Sequence, residues 1–192
     1  MAKILAIVAV ISLMLFGNSC STQNQTAEQQ VAFTAKTSKV FEIKSVGAST
    51  ANSIVDFTWE EAGKKRSFAE MAKGKVVFLN FWGTWCPPCR KEIPDIIKLT
   101  DDLKSEKVLI VGVASERNAS TAKETVEAFV DKNDINYVNF LDNARELAAA
   151  YGGIQYVPTT FVINAKGEVV DKIIGGNDYN TFLAYIRKAQ EN

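Results

Sequence analysis

Val76 to Arg90 reads VVFLNFWGTWCPPCR, and the fold turns on this stretch. Val76 to Trp82 is a nearly continuous apolar run, the pattern of a β-strand covered on both faces. Pro87 suits the first turn of a helix, where no backbone N–H is needed. A helix is expected from Pro87 to about Lys104, with Ile93, Ile96, Ile97 and Leu103 on one face. Cys86 and Cys89 therefore stand where a buried strand hands over to a helix. A thiol at that junction faces unpaired backbone N–H groups and the positive end of the macrodipole, so its thiolate is favoured. Three-residue spacing sets Cys89 one turn deeper, close enough to bond to Cys86 and less exposed. An exposed, acidic first thiol with a buried second one is what thiol–disulfide exchange requires. The first attacks a substrate disulfide, and the second resolves the mixed disulfide.

A Cys-x-x-Cys pair also begins many zinc knuckles, and an exported chain can hold it as a structural disulfide. The composition weighs against zinc: the 192 residues include no His and three Cys, too few for a four-thiolate site unless a second chain contributes. A disulfide spanning two residues closes a tiny loop and restrains the unfolded chain little. Reactivity explains the pair better than stability does. The missing His also removes Ser-His-Asp and Cys-His catalysis and haem ligation by His. With 22 Lys+Arg against 22 Asp+Glu, the chain has no field for gripping phosphate backbones, and no nucleic-acid partner is expected. No metal is expected, and no cofactor beyond a redox-active Cys86–Cys89 disulfide.

Outward from this centre, strands and helices alternate. Phe41 to Val46 and Ser53 to Trp59 read as two strands around a turn at Gly47–Asn52, and Ser67 to Lys73 as a short helix. Lys107 to Ala114 is a second buried strand, Thr121 to Asp131 a helix and Tyr137 to Leu141 a strand. Asp142 or Asn143 can cap a helix running through Leu147 and Tyr151. Thr160–Ile163 and Glu168–Ile174 form a hairpin, and Asp178 to Lys188 closes the chain as a helix. Such alternation implies crossovers and a mixed α/β sheet with helices on both faces.

The N-terminus differs in kind. Lys3 supplies a positive charge, Ile4 to Phe16 is apolar except for Ser12, and Gly17-Asn18-Ser19 lead to Cys20. The run is short for a permanent membrane span but fits a signal-peptide core. Small residues before a cysteine resemble a bacterial lipoprotein signal over residues 1–19, with Cys20 the lipidated first residue of the mature chain. Gly17 stands where such signals usually carry Leu, and an ordinary cleaved signal or an uncleaved anchor are the alternatives. Residues 20–40, rich in Ser, Thr, Gln, Asn and Ala, read as a flexible polar tether. The folded domain is expected over residues 41–192.

Val76–Arg90 resembles the active-site strand and helix of the thioredoxin superfamily. More narrowly it resembles the exported, membrane-tethered branch of TlpA/ResA-like thiol–disulfide oxidoreductases. Pro94 matches the kink in that family's active-site helix. Val157-Pro158-Thr159-Thr160 matches the loop whose proline is cis and faces the disulfide. Thr121–Leu141 matches the branch's helix–strand insertion, and Phe41–Trp59 its N-terminal strands. The resemblance implies a thioredoxin-like fold: a mixed central sheet with helices on both faces, an N-terminal strand extension and a central insertion. All four prolines, Pro87, Pro88, Pro94 and Pro158, fall on this site. One departure stands out. Gly152–Val157 is one residue longer than the family's segment, with Tyr156 where a glycine is expected, so the substrate-contacting rim should differ.

Glu92 lies three residues after Cys89 and shares its helix face, while Arg90 and Lys91 turn away. The same branch carries a functional glutamate at the matching position, so Glu92 joins Cys86 and Cys89 as a catalytic candidate. Asn80 stands where cytosolic thioredoxins carry a buried Asp, but an amide cannot ionise; it is expected to bond to neighbouring backbone. Trp82 is expected in the core. Trp85, Pro87, Pro88, Val157 and Pro158 are the substrate-binding candidates.

The reading is an extracytoplasmic thiol–disulfide oxidoreductase, lipid-anchored to a bacterial membrane, on the periplasmic side if the cell is Gram-negative. Protein disulfides are its expected substrates. By family analogy it acts as a reductant fed by a membrane electron donor of the thiol-reducing type, and apocytochrome c maturation is one use within that branch. Two rivals are a thiol peroxidase, disfavoured by the Thr84-x-Cys86 spacing, and a non-catalytic Cu(I)-binding lipoprotein, disfavoured by the absent His and scarce Met.

Overall fold

A computed structural model of the chain describes residues 40–50 and 52–192. The expected signal peptide, Cys20 and nearly all of the tether lie outside the described residues. Val40 is the exception: assigned to the tether by composition, it opens the first strand and is buried in the core.

The centre of the molecule is a six-stranded sheet in the order β1-β7-β6-β5-β8-β9. Its strands are β1 (Val40–Glu42), β5 (Val76–Trp82), β6 (Val108–Ala114), β7 (Val138–Leu141), β8 (Thr159–Ile163) and β9 (Val169–Ile174). The first four by position, β1, β7, β6 and β5, run parallel; β8 pairs antiparallel with β5, and β9 antiparallel with β8. A second sheet of three antiparallel strands holds β2 (Ser45–Val46), β3 (Phe57–Glu61) and β4 (Lys64–Ser67). The helices are α1 (Phe68–Ala72), α2 (Pro87–Leu103), α3 (Ala122–Lys132), α4 (Glu146–Ala150) and α5 (Tyr179–Glu191), with a 3₁₀ turn at Ala119–Thr121.

The mixed sheet with helices on both faces is as expected, and its central strand explains why. All seven residues of β5 are buried, and their period-two alternation feeds two separate cores. Val76, Phe78 and Trp82 join Ile93, Ile96 and Leu99 of α2, Val126 of α3 and Phe182 and Ile186 of α5. Val77, Leu79 and Phe81 join Phe57, Trp59, Phe68, Phe140 and Leu147 on the other side. Asn80 has the parity of Phe78 and Trp82 and so faces α2. At Gly112, one strand over, a Cβ would come within 2.1 Å of Asn139 Oδ1. A bare backbone there lets Asn139 accept a hydrogen bond from Trp82 Nε1 at 3.0 Å.

Two expectations are corrected at the N-terminal end. Phe41 to Val46 is two strands rather than one, because β1 enters the main sheet beside β7 while β2 pairs with β3. The next strand begins at Phe57 rather than Ser53, which makes only an isolated bridge to Glu168. The strand β4 escapes a hydrophobicity reading altogether, because its residues are Lys64, Lys65, Arg66 and Ser67.

Candidate active site

Cys86 and Cys89 are joined as a disulfide, with Cα atoms 5.3 Å apart. Cys86 is the N-cap of α2, and its sulfur accepts the backbone N–H of Cys89 at 3.2 Å. The prolines explain the pattern of donors. Pro87 and Pro88 remove the N–H groups of the first two helical positions, so the first amide this terminus offers belongs to Cys89. A thiolate at Cys86 would meet that N–H and the positive end of a 17-residue helix.

One expectation about exposure is corrected. Cys86 is only 2% exposed and Cys89 not at all, so in the disulfide both sulfurs are covered. What covers Cys86 includes the loop before β8. The Val157–Pro158 peptide is cis, and the Val157 carbonyl oxygen lies 3.5 Å from Cys86 Sγ. Pro158 itself is buried and Val157 half-buried, whereas Pro87 and Pro88 are exposed at the helix start.

Trp85 is 38% exposed and is fixed from behind by three consecutive residues after β6. Its indole N–H donates to the Ser115 carbonyl at 3.0 Å, and the Arg117 guanidinium lies 4.3 Å from the ring centroid. Between them, Glu116 accepts Thr84 N–H at 2.8 Å and Thr84 Oγ1–H at 2.9 Å. At Gly83 a Cβ would stand 2.6 Å from the indole nitrogen, so only glycine allows this indole position. Sequence reading missed Ser115, Glu116 and Arg117, which follow a strand as an ordinary polar loop.

Glu92 is 2% exposed on the inner face of α2, one turn beyond Cys89, while Arg90 and Lys91 are exposed. Its Oε1 accepts from Asn80 Nδ2 at 2.8 Å, and its Oε2 from the Asn177 N–H at 3.3 Å. Burial pushes its pKa up to about 7, and these two donors pull the other way without cancelling it. Asn80 is not the backbone-bonded amide expected. Its Nδ2 donates both to Glu92 and to Thr160 Oγ1, at 3.0 Å, across the β5–β8 register that pairs Asn80 with Thr160. Thr160 and Asn177 were not singled out by the sequence; strand parity was the available signal for Thr160, and none existed for Asn177. Among the described residues, no group of three or more His, Cys, Asp and Glu side chains is placed to hold a metal ion.

A disulfide capping the helix behind a buried strand, opposed by a cis-proline loop and backed by a buried carboxylate, defines a thioredoxin-like protein with a thiol–disulfide centre. The chain belongs to the AhpC/TSA family, whose model matches residues 50–172. It is similar to the thiol–disulfide oxidoreductase ResA of Bacillus subtilis, with 40% identity over 120 residues, covering 62% of this chain and 64% of that protein. The chain thus spans less than two thirds of this relative's length. Among solved structures it is similar to a thiol:disulfide interchange protein of Chlorobium tepidum, at 30% identity and a TM-score of 0.63, covering 74% of this chain and 99% of that one. StoA from Bacillus subtilis is also similar, at 31% identity and a TM-score of 0.57, covering 68% and 95%.

Proposed function

We propose that this protein is a thiol–disulfide oxidoreductase that reduces disulfides in other proteins, outside the cytoplasm and from a lipid tether at Cys20. The observation that carries the activity is the Cys86–Cys89 disulfide at the start of α2, with a backbone donor on the Cys86 sulfur and Glu92 buried one turn beyond Cys89. The names of the similar proteins support it, and the leader sequence supports the tether.

In the reduced protein, the Cys86 thiolate attacks one sulfur of a substrate disulfide. The S–S bond breaks, one substrate cysteine leaves as a thiolate, and Cys86 is held in a mixed disulfide. Cys89 then loses its proton to Glu92 and attacks the Cys86 sulfur. The second substrate cysteine leaves, and two electrons have passed from the protein's dithiol to the substrate. Trp85, Pro87, Pro88 and Val157 line the approach, and Pro158 sets the Val157 carbonyl. The protein is left with the Cys86–Cys89 bond, which a dithiol donor must reduce again. We place that donor in the membrane, since exported compartments offer no thioredoxin reductase.

The test uses the full chain with a disulfide-bonded protein substrate. Cys89→Ser should accumulate a mixed disulfide through Cys86, and Cys86→Ser should trap nothing. If Cys89→Ser forms no mixed disulfide while the wild type consumes hydroperoxide, the peroxidase reading replaces this one. Stoichiometric Cu(I) on the reduced protein without exchange would favour the metal-binding rival. For the tether, Cys20→Ala should release the protein from membranes; a wild-type protein recovered soluble and free of fatty acid would remove that part of the reading.

A further inference from the structure

A pocket of about 230 Å³ opens beside the disulfide, lined by Phe81, Trp85, Arg145, Ile154, Tyr156 and Val157 among others. Val157 ties it to the chemistry, because the same residue presents its carbonyl 3.5 Å from Cys86 Sγ. The volume lies below the range of about 300–1,000 Å³ typical for sites that take whole small molecules. It suits a single side chain.

The walls say which kind. Trp85 and Tyr156 are 38% and 69% exposed, two of the three large hydrophobic residues exposed among the described residues. Neither contributes to a core, and both border the same cavity. Tyr156 belongs to Gly152–Val157, the segment that is one residue longer than sequence comparison with the thioredoxin-like pattern leads one to expect. The polar wall is cationic. Arg145 sits in a left-handed conformation at φ 57°, and one guanidinium nitrogen donates to the Ile154 carbonyl at 2.8 Å, which fixes the group at the pocket. No ion pair to a carboxylate is found for Arg145 among the described residues. Glu116 is engaged by Thr84; Asp142 feels the Arg145 charge, but the Leu147 and Ala148 amides donate to its oxygens.

We propose that this pocket is a substrate subsite that takes an acidic side chain flanking the reacting cysteine of a protein disulfide. The proposal rests on the oxidoreductase reading above. A glutamate fits the chemistry of the walls: its methylenes lie against Trp85 and Tyr156, and its carboxylate meets the Arg145 guanidinium. A lysine in the same place would bring its ammonium against the Arg145 guanidinium. Tyr156 and Arg145 are thus specificity-determining residues for exchange at Cys86, acting on the substrate and not on the sulfur chemistry.

The experiment compares disulfide-bonded peptides that differ only in the residue beside the cysteine: Glu, Gln or Lys. Reduced full-chain protein should reduce them with kcat/KM in the order Glu, Gln, Lys, and Glu should exceed Lys roughly threefold to tenfold at low ionic strength. Raising salt to about 0.5 M should shrink the ratio, since the Debye length falls below about 8 Å. Arg145→Gln should bring the ratio close to one, and Arg145→Lys, which keeps the charge but not the fork, should preserve the order with a smaller ratio. Tyr156→Ala should lower kcat/KM for the Glu peptide about threefold. Equal rates for the three peptides, or an order that survives Arg145→Gln, overturns the subsite alone. Failure to reduce any of them overturns the oxidoreductase reading, and the subsite with it.

Discussion

Glu92 and Asp142 are both carboxylates buried to 2% exposure, and burial raises the pKa of each. What holds them differs. Asp142 accepts the Leu147 and Ala148 N–H groups at 3.2 and 2.8 Å, the unpaired amides at the start of α4. Those donors favour its ionised form and fix it as part of the backbone's own hydrogen bonding. Glu92 has one side-chain amide and one longer backbone contact, on the face of α2 that carries Cys89. Its charge is less well met, and its proton is accordingly easier to keep. Burial alone does not make a proton acceptor; the number and kind of donors around the carboxylate decide whether it caps a helix or trades a proton.

The largest expected difference between the two sites is in exchange rate. Glu92→Gln should slow resolution of the mixed disulfide by at least about 100-fold at pH 7, the scale of a lost general base. Asp142→Ala should leave the rate per folded molecule within about twofold. Rapid-quench measurement of the mixed disulfide reads both. Similar losses in the two variants would break the distinction.

Stability against pH gives the next effect. A carboxyl whose folded pKa is about 7, against 4.5 unfolded, holds its proton longer in the native state. The native state then binds more protons than the unfolded one in that window, so stability is fully present below about 4.5 and falls as pH rises through 7. The loss should approach about 3 kcal/mol in the oxidised protein, from 1.36 kcal/mol per unit. Denaturant unfolding at pH 4.5 and 8.5 measures it, and Glu92→Gln should flatten most of the difference.

Asp142→Ala should cost about 2 kcal/mol in the same unfolding assay, because it strips buried amides of their acceptor. Smallest is Thr160→Val, which removes the hydrogen bond from Asn80 and should cost about 1 kcal/mol. A Thr160→Val loss as large as that of Asp142→Ala would mean that the Asn80–Glu92 group is as rigidly structural as the helix cap.

The same contrast explains what could be read in advance. The strand β5, the helix α2 and their cysteines carry their pattern locally, in seven consecutive apolar or amide residues and a Pro-Pro turn, so they are legible within the segment. Asp142 as an acceptor for the first amides of α4 was legible for the same reason, since its partners lie five and six residues on, although the N-cap position itself falls at Arg145 and not at Asp142 or Asn143. Asn80 was misjudged because its partners are 12 and 80 residues away. The strand β1 overlaps the expected N-terminal strand at Phe41 and Glu42, but its pairing with β7, about a hundred residues later, has no local signal. The strand β4 lacks an apolar residue altogether and is held by its pairing with β3. Arg145 and Tyr156 converge only after the α4 to β8 connection folds back, so the pocket they border belongs to tertiary structure.

The central claim is that Glu92 is the proton acceptor of this site, poised near neutrality while buried. Its carboxyl carbon can be followed by ¹³C NMR in the oxidised protein, assigned by comparison with Glu92→Gln. The account predicts a titration midpoint near 7. A midpoint near the ordinary glutamate value of about 4.3 would contradict it, and would leave Glu92 a buried structural charge.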